Sequence, residues 1–365
     1  MQKSQRLISL DVLRGLTVML MIFVNNGAGD LVFTTLRHSR WNGMTPCDLV
    51  FPTFLFIMGV STYLSLKKQD FQWSRPLVFK IVKRTLLLFL IGLFINWYHD
   101  FCYKGTIGLD SLRIMGVMQR IALCYFFTAL FALCSKSAGS LKAIPVCTAI
   151  LLILYSILIL TGGGYTYDSS TNLLSVVDRH VLGEAHLYHK SPVDPEGLLS
   201  TLSAVAQTMI GFWCGKLMSE AQTIQDKMLR LLLAAVILTL LGWLLTFAMP
   251  LNKRIWSPSY VLTPCGYALS LWALLIYALD YRHVSGRRLT DLCLIYGTNP
   301  LFLYVLSELI GIAFNNSGVK MQVYGTLLAV IPNGYWASVA YSLLFTSMHA
   351  LLGYPLWKRR IFIKL

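Results

Sequence analysis

Charge is what this sequence has too little of. Only 13% of its 365 residues are Asp, Glu, Lys or Arg, where a soluble domain carries about a quarter. That deficit excludes an ordinary water-soluble globule. No CxxC or other metal-ligand spacing occurs among the eight cysteines, so no metal site is expected from them. Cys47 and Cys102 both fall outside and either pair or stay free; the other six read as small apolar packing residues. No internal repeat is visible, which argues against a transporter built from inverted repeats. The first apolar stretch holds polar residues and is not followed by a small-residue cleavage pattern, so it reads as a retained helix and not a signal peptide.

What is present instead is apolar length. The chain is 56% hydrophobic, and runs of about 20 apolar residues recur, each long enough for a hydrocarbon core of ~30 Å. The fold class expected is an all-α polytopic membrane protein, with residues 1–365 forming one transmembrane domain in a lipid bilayer. Ten spans can be drawn, at 8–28, 48–66, 79–97, 114–134, 143–161, 198–218, 229–249, 259–280, 292–314 and 336–357. The shorter run at 321–332, broken by Pro332, Asn333 and Gly334, reads as a re-entrant or surface segment in preference to an eleventh span.

A net charge of +15 would suggest nucleic acid in a soluble protein, but here it is a topology signal and no nucleic-acid partner is expected. With the N-terminus inside, 21 of the 31 Lys and Arg residues fall on the inner side. Basic loops mark the cytoplasmic face, so both termini are expected there. The loop 162–197 then lies outside with Asp168, Asp178, Glu184, Asp194 and Glu196 against only Arg179 and Lys190. Such a loop either attracts a cationic ligand such as an amine or simply reflects the same charge asymmetry. His180, His186 and His189 within it make only a weak metal set.

Polar groups inside lipid each ask for a reason. Arg14 and Asn25 share a face of the first helix, about 16 Å apart along its axis. Asp11 lies one turn before Arg14, and a paired packing seam is an equal reading for those two. In "LRIMGVMQRIALCY", Arg113 and Arg120 are seven residues apart and read as one helix face. A buried Arg120 needs an acidic partner or an anionic ligand, and Glu308 is one candidate. Asn299-Pro300 predicts a kink that exposes backbone carbonyls. His349 reads as a packing histidine.

The densest polar knot is "RHSRWNGMTPCDLVFPTFLFIMGVS", residues 37–61. His38 is its only histidine, and a neutral imidazole can take a proton or attack a thioester itself. Asn42 and Asn25 offer amide donors to an oxyanion. Trp41 offers a flat face for a sugar ring. Asp48 either orients the imidazole or caps the second helix.

Taken together, "SLDVLRGL", "HSRWNGMTPCDLVFPTFLFIMGVS", "LRIMGVMQRIALCY", "DPEGLLST", "PLNKRIWSPSYVL", "YGTNPLFLYVLSE" and "LWKRRIFIKL" resemble the heparan-α-glucosaminide N-acetyltransferase family, in order along nearly the whole chain. The resemblance implies transfer of acetyl from cytosolic acetyl-CoA to an amino sugar on the other side of the membrane. It points to the compact bacterial-type branch, in an inner membrane with the site mouth at the periplasmic face. The family's catalytic histidine stands just before a Ser-Trp-Asn-Gly-like knot, which places the role on His38 with Arg40 intervening. A family asparagine near the end of the first span matches Asn25 or Asn26. With this, the catalytic set expected is His38, Asn25, Asn42 and Asp48. The acetyl-CoA set is Asp11, Arg14, Arg84, Arg113, Arg120 and Asn299, and the acceptor set is Trp41, Asp194, Glu196 and Glu308. No metal is expected, and a homodimer is an assembly left open. The rival reading is a transporter of an amino sugar or related glycan, which would move its substrate without acetyl-CoA.

Overall fold

The computed structural model describes residues 7–105, 107–284 and 287–363. Lys3, Arg6 and Lys364, which belong to the inner basic set, lie outside the described residues. Thirteen helices carry the described chain, and no strand occurs among these residues. They are α1 (Ile8–Asn25), α2 (Val50–Lys67), α3 (Arg75–Lys104), α4 (Val117–Ser137), α5 (Ala143–Thr161), α6 (Leu173–Leu182), α7 (Leu198–Glu220), α8 (Ile224–Leu245), α9 (Pro258–Leu275), α10 (Arg287–Thr298), α11 (Pro300–Asn316), α12 (Val319–Val330) and α13 (Gly334–Lys358). A π-helical turn, Ile276–Tyr281, prolongs α9.

Seven helices among the described residues are long and apolar enough to cross a membrane, or eight if α10 and α11 count as one broken span. The chain is thus a polytopic, all-helical membrane protein. The expected spans 79–97 and 336–357 fall within α3 and α13, continuous helices that stand outside those seven. The expected span 292–314 is broken: α10 and α11 meet at 81°. Pro300 has no N–H to continue the ladder, and the Asn299 side chain binds the C-terminal tail on both sides, donating to Ile361 O at 2.8 Å and accepting from Ile363 N at 2.7 Å. Twelve-residue α12 is only about 18 Å long, too short to cross.

Burial sorts the helices into centre and rim. α7 is 78% buried and the α2 span 72%, whereas α5 and α8 are 22% and 17% buried, leaving nearly all-apolar surfaces for lipid. The central pair packs with backbone against backbone. A Cβ on Gly59 would sit 2.0 Å from Thr208 O, and one on Gly211 2.1 Å from Phe56 O. Without a hydrophobic drive in lipid, such close van der Waals approach is what holds helices together. α1 packs on α2 and α10, while α4 packs on α3 and α7. The end of α1, the starts of α2 and α4 and part of α11 therefore converge beside the 162–197 segment, which folds back as α6 and a short turn at Glu184–His186.

Candidate active site

Where these helices converge lies a cavity of about 240 Å³. α1 supplies Asn25, α11 supplies Tyr304 and Glu308, and the loop before α7 supplies Tyr188 and Glu196. His38, Cys47, Arg113, Lys253 and Arg254 complete its polar wall, and Met21, Val24, Val50, Phe51 and Val117 its apolar floor.

His38 is held by the turn that starts α2. Pro46–Leu49 forms a 3-10 turn with a capping box, in which Thr45 and Asp48 satisfy each other's backbone. Asp48 is fully buried. Its Oδ2 accepts from Ser39 N (3.0 Å), Thr45 N (3.1 Å) and Thr45 Oγ1 (3.0 Å). Its Oδ1 lies 2.7 Å from His38 Nδ1. The two roles expected of Asp48 are thus divided between its oxygens, one capping and one orienting. A carboxylate oxygen only accepts, so Nδ1 carries the proton and Nε2 keeps its lone pair for the cavity. This is the arrangement of a general base with a fixed tautomer. The Cys47 Sγ sits 3.2 Å from Nδ1, and both Cys47 and Cys102 are free thiols.

Across the cavity a second polar cluster is closed on itself. Arg113 donates to Asp194 Oδ1 at 2.6 Å and to Glu196 Oε2 at 2.7 Å, and its guanidinium lies 4.5 Å from the centre of the Tyr188 ring. Burial alone would lower the affinity of this guanidinium for its proton, but the two carboxylates outweigh it and hold Arg113 above the usual arginine range. Burial likewise works against ionised Glu196, and Arg113 wins, so that its carboxyl titrates below the usual range. Asp194 stands behind Arg113 and also accepts from Tyr188 N (3.0 Å) and Glu196 N (2.9 Å). Of the acidic loop, Glu196 alone reaches the cavity wall.

Two arginine expectations are corrected. Arg113 is not on the helix with Arg120, because α4 begins only at Val117 and the chain is extended at Gly116. Arg120 does not meet Glu308. It is fully buried against Trp256, 4.8 Å from the ring centre. It donates to Gly197 O (3.1 Å) and Ser200 Oγ, at the start of α7. Glu308 instead stands beside Asn25 and Tyr304 on the cavity wall. Asn25 is therefore the cavity asparagine, since Asn26 turns back to Ile22 O (2.8 Å).

Several expected site residues are not brought to the cavity. Trp41 donates its Nε1 to Tyr165 O at 3.0 Å and packs edge-on to Tyr167. Asn42 accepts from Asn252 Nδ2 at 3.1 Å, tying the knot to the stretch before α9. Near the start of α1, Arg14 pairs with Asp11 at 3.0 Å and reaches Ser61 Oγ at 2.9 Å. Arg84 stacks over Tyr125 at 4.6 Å. His349 is buried in the core, its Nδ1 donating to Phe345 O. Among the described residues no three His, Cys, Asp or Glu side chains are placed to hold a metal, and His186 Nδ1 donates to Leu112 O.

Sequence reasoning missed Lys253, Arg254, Tyr188 and Tyr304. A signal for the first two was present: in the expected topology Lys253 and Arg254 fall on the outer side, against the inward bias of most basic residues.

Comparison with known proteins finds relatives along nearly the whole chain. The family model described as heparan-alpha-glucosaminide N-acetyltransferase, catalytic, matches residues 6–173, which include His38 and Asp48. The human heparan-alpha-glucosaminide N-acetyltransferase is 28% identical over an alignment covering 99% of this chain and 60% of that protein. The mouse protein of the same name is 31% identical, with 99% and 61% covered. The chain thus spans about three fifths of the length of these relatives. The chain is thus similar to the heparan-alpha-glucosaminide N-acetyltransferases over nearly its whole length, and its first half matches the family's catalytic model.

Proposed function

We propose that this protein is a transmembrane N-acetyltransferase that takes acetyl from acetyl-CoA on the inner side and passes it to the amine of an amino sugar on the outer side. The observation that carries this reading is the His38–Asp48 pair, with His38 on the wall of a cavity that also holds Glu196 and Glu308. At about 240 Å³ the cavity lies just below the usual range of ligand pockets, about 300–1,000 Å³. It suits the end of a glycan, one ring at a time. Glu308, beside Asn25 and Tyr304, is placed to accept a hydrogen bond from the acceptor's neutral amine.

The chemistry follows from the tautomer. His38 Nε2 removes a proton from the amine as its nitrogen attacks the thioester carbonyl. The C–N bond forms, the C–S bond breaks, and the departing thiolate takes that proton from the imidazolium. Asp48 stabilises the imidazolium in between, and such general-base assistance contributes about 10²–10⁴-fold. Direct transfer needs one aligned complex, and we favour it over an acetyl-histidine intermediate. Arg14 and Arg84 are proposed to receive the anionic nucleotide at the inner face, with the pantetheine arm running beside α1 towards Asn25. Both termini are placed inside by the basic asymmetry of the sequence.

Oriented vesicles test this directly. Acetyl-CoA confined to the side bearing the termini should support acetylation of glucosamine confined to the other. A requirement for both substrates on one side would overturn the transmembrane route. Movement of glucosamine without acetyl-CoA would favour a transporter.

A further inference from the structure

Lys253 stands in "PLNKRIWSPSYVL", more than two hundred residues from His38, yet the fold drives its side chain into the same site. Its Nζ lies 2.9 Å from His38 Nδ1, 3.4 Å from Nε2 and 3.3 Å from Asp48 Oδ1. The side chain is only 11% exposed and lines the cavity. A buried ammonium is costly unless something uses it, so its purpose needs an account.

Satisfying Asp48 is not that purpose. A carboxylate has about four acceptor positions, and Asp48 already receives Ser39 N, both donors of Thr45 and His38 Nδ1. The contact to Lys253 at 3.3 Å is also longer than the roughly 2.7–2.9 Å of a strong charge-assisted bond. Nor is the ammonium hydrogen-bonded to Nδ1, whose one proton goes to Asp48. These distances lay Nζ against the imidazole, nearer Nδ1 than Nε2, with both residues on the cavity wall. An ammonium has three N–H groups, so at least one remains for the cavity.

We propose that Lys253 is a catalytic residue of this site, its ammonium stabilising the negative charge that develops on the thioester oxygen. The proposal rests on the acetyl-transfer reading above. As the amine nitrogen bonds to the carbonyl carbon, the C=O electron pair moves onto oxygen beside Lys253 Nζ. It returns when the C–S bond breaks, and Lys253 neither gains nor loses a proton. Asp48 anchors the ammonium and the imidazole together, so the base and the oxyanion donor keep a fixed separation. A preorganised donor aimed at developing charge is commonly the largest single contribution to such a reaction.

The test uses the full-length protein with acetyl-CoA and glucosamine. Lys253→Met keeps the length of the side chain and removes its charge. It should lower kcat by about 10²–10³-fold, with melting and the KM for acetyl-CoA within about threefold of the parent protein. Lys253→Arg should recover at least about tenfold of that loss, because a cation is restored near the oxyanion. Should the Met variant fold poorly, Lys253→Gln takes its place. A Met or Gln variant that keeps more than about a third of the parent kcat, while His38→Ala is inactive, would overturn the role of Lys253 and leave the site reading intact. Loss confined to melting, with turnover per folded molecule preserved, would overturn it equally. If His38→Ala itself keeps its turnover, it is the acetyl-transfer reading that fails.

Discussion

Two clusters line the cavity, and each gathers a cation around carboxylate oxygens. In one, Arg113 is clasped by Asp194 and Glu196, with Tyr188 beneath it. Next to it Arg120 and Asp178 hold the start of α7, through Gly197 O and Leu198 N. In the other, Lys253, Asp48 and His38 share one carboxylate oxygen. The first cluster spends its strong donors on its own acids. The second puts His38 and Lys253 on the cavity wall, with N–H groups of Lys253 to spare. Ion pairing by itself therefore says little about function. The informative difference is which groups still have hydrogen-bonding capacity once every internal partner is counted.

The comparison breaks most sharply at Asp48. Asp48→Asn keeps a polar group in the turn but removes the charge that supports the imidazolium. Turnover should fall by about 10²-fold or more, while acetyl-CoA binding stays near that of the parent. Equal loss of binding would mean that the turn, and not the base, had failed.

Arg113→Met attacks the closed cluster. It strands Asp194 and Glu196 without their cation, and losing one member of a buried pair costs about 3–5 kcal/mol. Melting in detergent should drop markedly, with turnover falling only as far as the folded fraction does. Unchanged melting would show that the cluster is not the structural one.

Asp178 sharpens the same point through pH. Burial raises its carboxyl to about 6, and its Oδ2 finds no partner although Oδ1 accepts from Leu198 N at 2.9 Å. Its folded proton affinity exceeds the unfolded one, so its contribution to stability is full below about pH 4 and is lost as pH rises through 6. A shift of about two units corresponds to roughly 2–3 kcal/mol. Asp178→Asn should therefore melt higher than the parent above pH 6 and gain little below pH 4. A pH-independent difference between the two would contradict the assignment.

How much of this was readable beforehand differs between the clusters as well. The apolar runs mark most of the helices, since ~30 Å of hydrocarbon leaves few ways to arrange them. His38 and Asp48 lie ten residues apart in one knot, and local sequence suffices to connect them. Glu196, Glu308 and Asn25 were legible as polar groups at outer helix ends. Lys253 was not, because only the packing of α9 against α2 brings residue 253 to residue 38. Arg113 was misplaced because a seven-residue spacing fits a helix equally well whether or not the helix has begun. Trp41 and Asn42 share the knot with His38, but Tyr165 and Asn252 claim their polar groups. Short sequence distance shows that residues are near each other, not which way they turn.

The central claim is that His38 accepts the amine's proton during acetyl transfer, and it is tested most directly by the single-turnover rate of His38→Ala with acetyl-CoA and glucosamine. The account predicts a rate lower by about 10²–10⁴-fold, in a protein that melts and binds acetyl-CoA as the parent does. A rate within a few-fold of the parent would contradict it.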